Sequence, residues 1–516
     1  MKLRYYFIAA MLMVCASISA QETYENVKLT SQDLNGTARY VGMGGAMDAL
    51  GADLSTMNSN PAGIGLFRST QIAASGGLVM QHDGNDFDKF DKTNASFDQI
   101  GVVLHHKSMG GINVAFGYQK SKNFDYILSA SDNLNNAALN KLTYIKGVAG
   151  YLFDDNGNDY ITSTRLDELV AKSQLLGSDN VYRYTDATGY TFNRGHEGYI
   201  GEYSFNVSGN INDRIFLGLT FSAYDVHYDA TSDYVESFAS TSVLGSQQTI
   251  RDHRRIHGQG ADVKIGAIFR PIETSPFRIG LAITSPTYYD LTSESSTSAS
   301  NGQYVGSAYD FRMYTPWKFA LSVGHTVGKK LALGAVYEFQ DYGTMNTRII
   351  EDSYYDYWTG YAYDETSKDA DMNEHAKQTL KGVSTLKLGL EYKVIPQLAL
   401  RAGYNYVSPI FSKSAAKGAY ENGSLVESPG IYYSSTADYT NWQDTHRFTL
   451  GLGGNVGNHF LWDIAYQYTS QKGEFHPFMD ASYGATTDTD YVENYADPVE
   501  VNNKRSQLLF TLGYKF

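Results

Sequence analysis

The sequence predicts an all-β fold, a transmembrane antiparallel β-barrel of about fourteen strands with an N-terminal plug. Three observations carry this. Segments of alternating apolar and polar residues recur along the chain, short turns alternate with long polar connections, and the composition suits twisted strands with aromatic belts, with 42 Tyr, 25 Phe and 49 Gly against 10 Pro. The mean hydropathy of -0.35 excludes a bundle of apolar helices. It does not exclude a barrel, because a barrel strand shows lipid only every second residue.

The first twenty residues read as a cleavable export signal. Lys2 and Arg4 precede an apolar stretch over 7–16, and Ser17-Ile18-Ser19-Ala20 supplies mostly small residues before a cut after Ala20. That stretch falls well short of the roughly 20 residues a spanning helix needs. Cys15, the single cysteine, leaves with the signal. A large exported chain without disulfides needs an architecture in which every strand is paired, which a closed barrel supplies. The formal net charge of -14 becomes more negative once Lys2 and Arg4 are gone, and this disfavours a nucleic-acid partner. The expected division is 1–20 signal, 21–69 plug and 70–516 barrel.

The alternation is clearest at the C-terminus. Leu508, Phe510, Leu512, Tyr514 and Phe516 fall on one face, and Leu509, Thr511, Gly513 and Lys515 on the other. Trp462 and Ile464 share a face opposite Asp463 and Ala465; Leu388 and Leu400 lie on equivalent faces. Strands are expected near 70–80, 96–106, 111–122, 196–209, 214–228, 258–270 and 277–288, then 313–325, 329–342, 383–393, 397–408, 445–456, 459–470 and 505–516. Tyr514 and the terminal Phe516 resemble the signal read by the barrel assembly machinery.

Connection lengths test this independently. Met109-Gly110, Asn212-Asp213, Thr274-Ser275, Val327-Gly328, Ile395-Pro396 and Gly457-Asn458 mark short turns, expected to be periplasmic. The stretches 81–95, 123–195, 229–257, 289–312, 343–382, 409–444 and 471–504 are long and polar, and are expected outside the cell. Both chain ends then fall on the periplasmic side. Within the longest loop, 161–176 reads as a short helix, either folded over the barrel mouth or exposed without a role.

Residues 21–69 do not alternate. Gly42, Gly44, Gly45, Gly51, Gly63 and Gly65 direct a compact backbone, while Val41, Met43, Met47, Leu50 and Leu54 want burial, so the segment suits the lumen better than a disordered tail. Lumen-facing Lys318, Glu338, Lys387, Glu391, Arg401, Arg447 and Asp463 offer it mixed charge.

The run Ala38-Arg39-Tyr40-Val41-Gly42-Met43-Gly44-Gly45-Ala46, followed by Asn60-Pro61-Ala62-Gly63 just before the first strand, resembles the N-terminal hatch of the FadL/TodX family of outer-membrane transporters for hydrophobic compounds. The match covers the hatch alone. The resemblance implies a monomeric, non-enzymatic barrel in the Gram-negative outer membrane, without a cofactor. It would pass hydrophobic small molecules such as long-chain fatty acids or aromatic hydrocarbons by diffusion past a hatch. Gly42, Gly44, Gly45, Asn60, Pro61, Ala62 and Gly63 are its hatch residues.

Competing signals are weaker. Asp154-Asp155-Asn156-Gly157-Asn158-Asp159 lacks the sixth-position Gly and the final Glu of a calcium loop. Gly42-Met43-Gly44-Gly45-Ala46-Met47 fails the dinucleotide fingerprint at its last position. His105-His106 and His253, Arg254, Arg255 and His257 lack a completing ligand set for a metal or haem. The alternative function is a surface receptor or adhesin, with haem as one candidate ligand, built on the long Tyr-rich acidic loops. A membrane hydrolase would need a Ser-His trio that no spacing singles out.

Overall fold

The computed structural model describes residues 23–105, 111–150, 163–175, 183–240, 242–358, 361–417, 420–421, 424–425, 433–484 and 491–516. The expected signal over 1–20, the Met109-Gly110 turn, His106 and the acidic run 154–159 lie outside them.

Fourteen antiparallel strands close one barrel, the last pairing back on the first from Gln71↔Lys515 to Gln81↔Arg505. The first two strands are Gln71–Gln81 and Thr93–His105, and the third comes in two pieces, Ile112–Asn123 and Tyr126–Asn133. The fourth to sixth, Ala187–Ile211, Ile215–Phe238 and Gln247–Phe269, are continuous. The next four are interrupted: Arg278–Thr284 with Tyr288–Ala299, Tyr304–Tyr314 with Lys318–Val327, Leu331–Asp341 with Asn346–Asp356, and Tyr361–Lys368 with Gly382–Ile395. Pro286 and Pro316 sit in two of these interruptions, where a residue without an N–H cannot extend the ladder. The helix Ala370–Thr379 fills a third. Leu398–Val407, Tyr439–Val456, Phe460–His476 and Val499–Lys515 complete the ring.

The register follows the alternation. Leu388, Leu400 and Leu512 point outward and are 42, 46 and 71 % exposed, as a lipid-facing band requires. Asn212 and Asp213 adopt left-handed φ of 53° and 55° in one tight turn, and Gly328 and Gly457 do so in two others.

Several strands run farther than the alternation suggested. Residues 187–195, 229–238 and 247–257, expected in loops, are strand. The reason is visible on the fifth strand, whose outward face changes from Ile215, Leu217 and Phe221 to Asp225, His227 and Asp229. Above the membrane the outward face turns polar and the inward face mixes Val226 and Tyr228 with Ser232 and Glu236, so the pattern vanishes while backbone pairing continues from Ile215↔Phe269 up to Ser237↔Gln247. Pairing needs no apolar face.

The outer connections fold inward as a cap. Leu139–Val148 and Arg165–Val170 bury Leu142, Ile145, Leu166, Leu169 and Val170 in one apolar cluster with Tyr190, Phe192 and Phe475 from the strand tops. The second helix starts on a reciprocal cap in which Thr164 and Asp167 each accept the other's backbone N–H at 3.0 Å. It continues as a π turn over Ala171–Leu175; the ends of the expected 161–176 helix lie outside the described residues. It lies over the mouth.

The N-terminal segment enters from above, contrary to the expectation that both ends are periplasmic. Thr23 hydrogen-bonds His375 Nδ1 at 2.8 Å on the outer-side helix Ala370–Thr379, and the chain then descends the lumen to the first strand. The helix Thr23–Thr30 buries seven of its eight residues, so the lumen is where its surface is satisfied. A segment that ends at Gln71 can still begin high in the barrel if it folds down through it.

Candidate functional site

The lower lumen is filled by the chain between Gly36 and Leu66. Thr37 caps the helix Ala38–Gly42 by accepting the Tyr40 N–H at 3.1 Å, and Arg39 reaches Glu391 on the tenth strand at 3.0 Å. Gly44 and Gly45 take left-handed φ of 63° and 77°, which turns the backbone flat along the wall. Asn60 is wholly buried; its Oδ1 accepts the Ala62 N–H at 3.2 Å and so caps the short 3-10 helix Pro61–Leu66. Pro61 occupies the first helical position, and its carbonyl accepts from Ser208 at 2.7 Å. Ala62 and Gly63 are buried behind it, Gly63 against Thr56. Gly42 rests on Gly451 of the twelfth strand. Six of the seven residues singled out in the sequence lie where this segment meets the wall, while Gly63 packs inside the segment on Thr56 and Gly51. Tyr514 and Phe516, by contrast, lie at the barrel rim in edge-to-face contact at 4.9 Å.

Above this segment is a cavity of about 300 Å³, bounded by the helix Thr23–Thr30, the inner wall and the underside of the cap. Its upper part is apolar and aromatic. Tyr24 stacks on Phe411 at 4.8 Å and tilts against Tyr439 at 5.3 Å, with Trp442, Ile410 and Leu128 completing that side. Its lower part is cationic. Lys122, Arg505 and Arg447 stand 3.7, 3.7 and 3.9 Å from one carboxylate, Asp33. Burial alone would push the Asp33 carboxyl up, but the three cations and the Asn123 N–H outweigh it and hold it down at about 2. Three positive charges around one negative leave an excess on the cavity floor. Asn123 Nδ2 and Asn503 Oδ1 are buried there without a hydrogen-bond partner.

An ion pair ties the helix beside the cavity to the sixth strand, and a second pair nearby ties the fourth strand to the outer connection before the twelfth. Glu25 meets Lys28 at 2.7 Å and Arg254 at 3.2 Å, and Arg194 grips Asp438 through two bonds of 2.7 Å. Burial raises the Glu25 carboxyl, yet Lys28 and Arg254 dominate and hold it well below the usual range. Arg254, weighed above as part of a ligand cluster, thus faces inward on Glu25, while His253 and Arg255 face outward on the sixth strand.

The wall beside the cavity is incompletely paired. The ladder between the second and third strands runs only from Gln99↔Gln119 to His105↔Asn113. Above it, among the described residues, 93–98 and 120–133 are joined by side chains, with Lys120 Nζ donating to Ser96 Oγ at 2.9 Å. The third strand breaks here at Phe124 and Asp125, where Phe124 N–H bonds the carbonyl of Gly198, itself at φ 109°.

Of the cavity floor, Arg447 was legible as lumen-facing from alternation. Lys122 and Arg505 were not singled out. Both lie near strand ends where polar residues flank both faces, and only closure of the barrel brings them to Asp33.

No family model matches this chain, and no curated protein matches it. Among solved structures it resembles a Pseudomonas aeruginosa FadL homologue, with 12% identity and a TM-score of 0.52. It also resembles the CymD monoaromatic hydrocarbon channel, with 9% identity and a TM-score of 0.50. Each alignment covers 94% of this chain and 99% of the other. The chain thus has the barrel fold of these channels over nearly its whole length.

Proposed function

We propose that this protein is an outer-membrane channel for passive uptake of hydrophobic small molecules, with the N-terminal segment as its hatch. The supporting observation is the cavity, apolar toward the cap and cationic at its floor, held between two structures that block a straight aqueous path. An apolar solute gains nothing from a wide water-filled pore and needs an apolar pocket with a controlled exit. The excess charge around Asp33 favours a long-chain fatty acid over a neutral aromatic hydrocarbon, because Lys122 and Arg505 can give charge-assisted hydrogen bonds to a carboxylate while the tail lies among Tyr24, Phe411 and Tyr439. The unpaired wall beside the third-strand break supports a sideways exit. In this reading Asn60-Pro61-Ala62-Gly63 sets the angle at which the hatch enters the wall.

The test is uptake of a labelled long-chain fatty acid and of a neutral aromatic hydrocarbon by cells lacking their own channel. Lys122→Gln with Arg505→Gln is expected to slow the fatty acid several-fold and leave the hydrocarbon unchanged. Asn60→Ala with Pro61→Ala is expected to leave the barrel inserted, by heat-modifiable gel mobility, and to change uptake. Transport of neither compound by the wild-type protein overturns the channel reading. Equal loss of both in the cation variant overturns the fatty-acid preference.

A further inference from the structure

The N-terminal segment beside the cavity carries, within the chain, the two chemistries of the ligand that the cavity fits. Tyr24 places its ring against Phe411 and Tyr439 in the apolar part, and Asp33 sets a carboxylate among three cations at the floor. The helix Thr23–Thr30 and the residues just after it join these two ends, and both line the same cavity. An apolar ring and an anion are thus held at opposite ends of one space, as the tail and head of a fatty acid would be.

The engagement of Asp33 with these cations is loose. Lys122, Arg505 and Arg447 all approach the same oxygen, Oδ1, and at 3.7, 3.7 and 3.9 Å they stand beyond the length of a direct hydrogen bond. What fixes Asp33 is the backbone of the third strand: Oδ2 accepts the Asn123 N–H at 3.0 Å, and the Asp33 N–H donates to the Ser121 carbonyl at 2.9 Å. Lys122 Nζ adds a bond to Ser31 Oγ at 2.9 Å. So placed, the Asp33 carboxylate cannot close on the cations. A free carboxylate entering from the cavity is under no such restraint and can take their N–H groups directly. The two carboxylates then repel each other in a setting that screens charge poorly.

These bonds also fasten the segment to the third strand where its own pairing is weakest. Ser121 is the residue left over at the register shift between Lys120 and Lys122, just above the top of the ladder to the second strand at Gln99↔Gln119.

We propose that residues 24–33 are a tethered competitor for the ligand site, with Asp33 as the residue that selects for an anionic head group, an inference that rests on the fatty-acid reading above. A tethered group competes at an effective concentration on the order of millimolar, so a ligand that offers only an apolar tail leaves Asp33 in place. One that brings its own carboxylate takes over the cations, displaces Asp33 from them and loosens the segment from Ser121 and Asn123.

Oleate and oleyl alcohol, which share a tail and differ in the head group, are the probes. Their binding to the full-length protein in nanodiscs is measured against empty nanodiscs. Asp33→Asn removes the competing charge and keeps the shape, and is expected to raise oleate affinity about tenfold while leaving oleyl alcohol unchanged. Glu365→Gln, at an exposed carboxylate on the outer strand Tyr361–Lys368, is expected to change neither. Loss of a nearby negative charge would favour oleate even without displacement, so amide hydrogen exchange decides. In the wild-type protein oleate is expected to speed exchange over 31–35 and at Asn123, and oleyl alcohol is not; in Asp33→Asn oleate is expected to leave it unchanged, because no charge is displaced. Slower or unchanged exchange in the wild-type protein with oleate bound means that the ligand shares the floor with Asp33, which overturns the competitor and leaves the channel reading standing. An equal gain in affinity for oleyl alcohol in Asp33→Asn overturns it as well. Failure of the wild-type protein to bind oleate overturns the fatty-acid preference itself, and this inference with it. Heat-modifiable mobility checks that Asp33→Asn is folded, and exchange in the wild-type protein tests the competitor without that variant.

Discussion

At Asp48 the fold holds a carboxyl group in a place that disfavours its charge. The side chain is about 1 % exposed; Oδ1 accepts from Ser59 Oγ at 2.6 Å, while Oδ2 has no hydrogen-bond partner. Burial, with Glu338 nearby, pushes its pKa from 3.8 up to about 6, against the opposing pull of Lys387 and Lys318. Because the folded state binds this proton more tightly than the unfolded one, the stability it confers is fully present below 3.8 and is lost as pH rises through about 6. Asp48→Asn should abolish that dependence, raising the unfolding temperature at neutral pH toward its mildly acidic value, with an upper bound of about 3 kcal/mol. Thermal melts of the purified protein between mildly acidic and neutral pH check this. An unchanged pH profile in the variant would place the titration elsewhere. The sequence marked the neighbourhood of Asp48 as glycine-rich and buried, and Lys318, Lys387 and Glu338 as lumen-facing, but not that these charges meet Asp48, since they belong to strands far away in the chain.

At the scale of elements, the feature that seats the N-terminal segment is a row of glycines across neighbouring strands. Gly324 pairs with Gly334, Gly334 with Gly389, and Gly389 with Gly403, so four strands offer bare backbone at one level of the wall. A Cβ at Gly334 would overlap the Ala46 carbonyl, one at Gly389 the Met43 carbonyl, and one at Gly403 the Gly44 nitrogen. Close approach of two backbones is what glycine permits and alanine forbids. Gly334→Ala should therefore loosen the segment, at a cost of about 1–3 kcal/mol, and expose it to protease. Gly209→Ala, whose Cβ meets nothing within 4 Å, should not. Limited proteolysis of both variants decides between a fitted wall and a loosely filled lumen. The two-residue period puts Gly389 and Gly403 on the inner face of their strands, opposite Leu388 and Leu400. It could not show that they align, because alignment depends on the stagger between strands. The same limit applies to Ala465: it faces inward as alternation indicates, yet it is packed against Ala38 and Val41 with no space to spare.

For the whole molecule the orientation in the membrane is the claim to test. Short turns at Gly328 and Gly457 lie at one end, and the hairpin tip at Gly302 with the aromatic residues Tyr357 and Trp358 lies at the other. An epitope inserted at Gly302 should label on intact cells, and one at Gly457 only after the outer membrane is opened. Labelling at Gly457 on intact cells would invert the topology. Asp369 is a poor place for a tag, because it caps the helix Ala370–Thr379 by accepting the Met372 N–H at 3.0 Å. The first described residue, Thr23, lies on the outer side of the same barrel, so an epitope at that position does not report on the periplasmic face.

The sequence by itself determined the barrel class, the strand number and the inward and outward faces, because these follow from a two-residue period and from turn chemistry, both local. It also marked the glycines and Asn60-Pro61-Ala62-Gly63, whose backbone demands are local as well. Only the tertiary structure decided that the N-terminal segment descends from the outer side, that the cap closes the mouth, and that Lys122, Arg447 and Arg505 converge on Asp33. Those relations arise when a closed sheet brings residues hundreds of positions apart to one level, and no period along the chain records them.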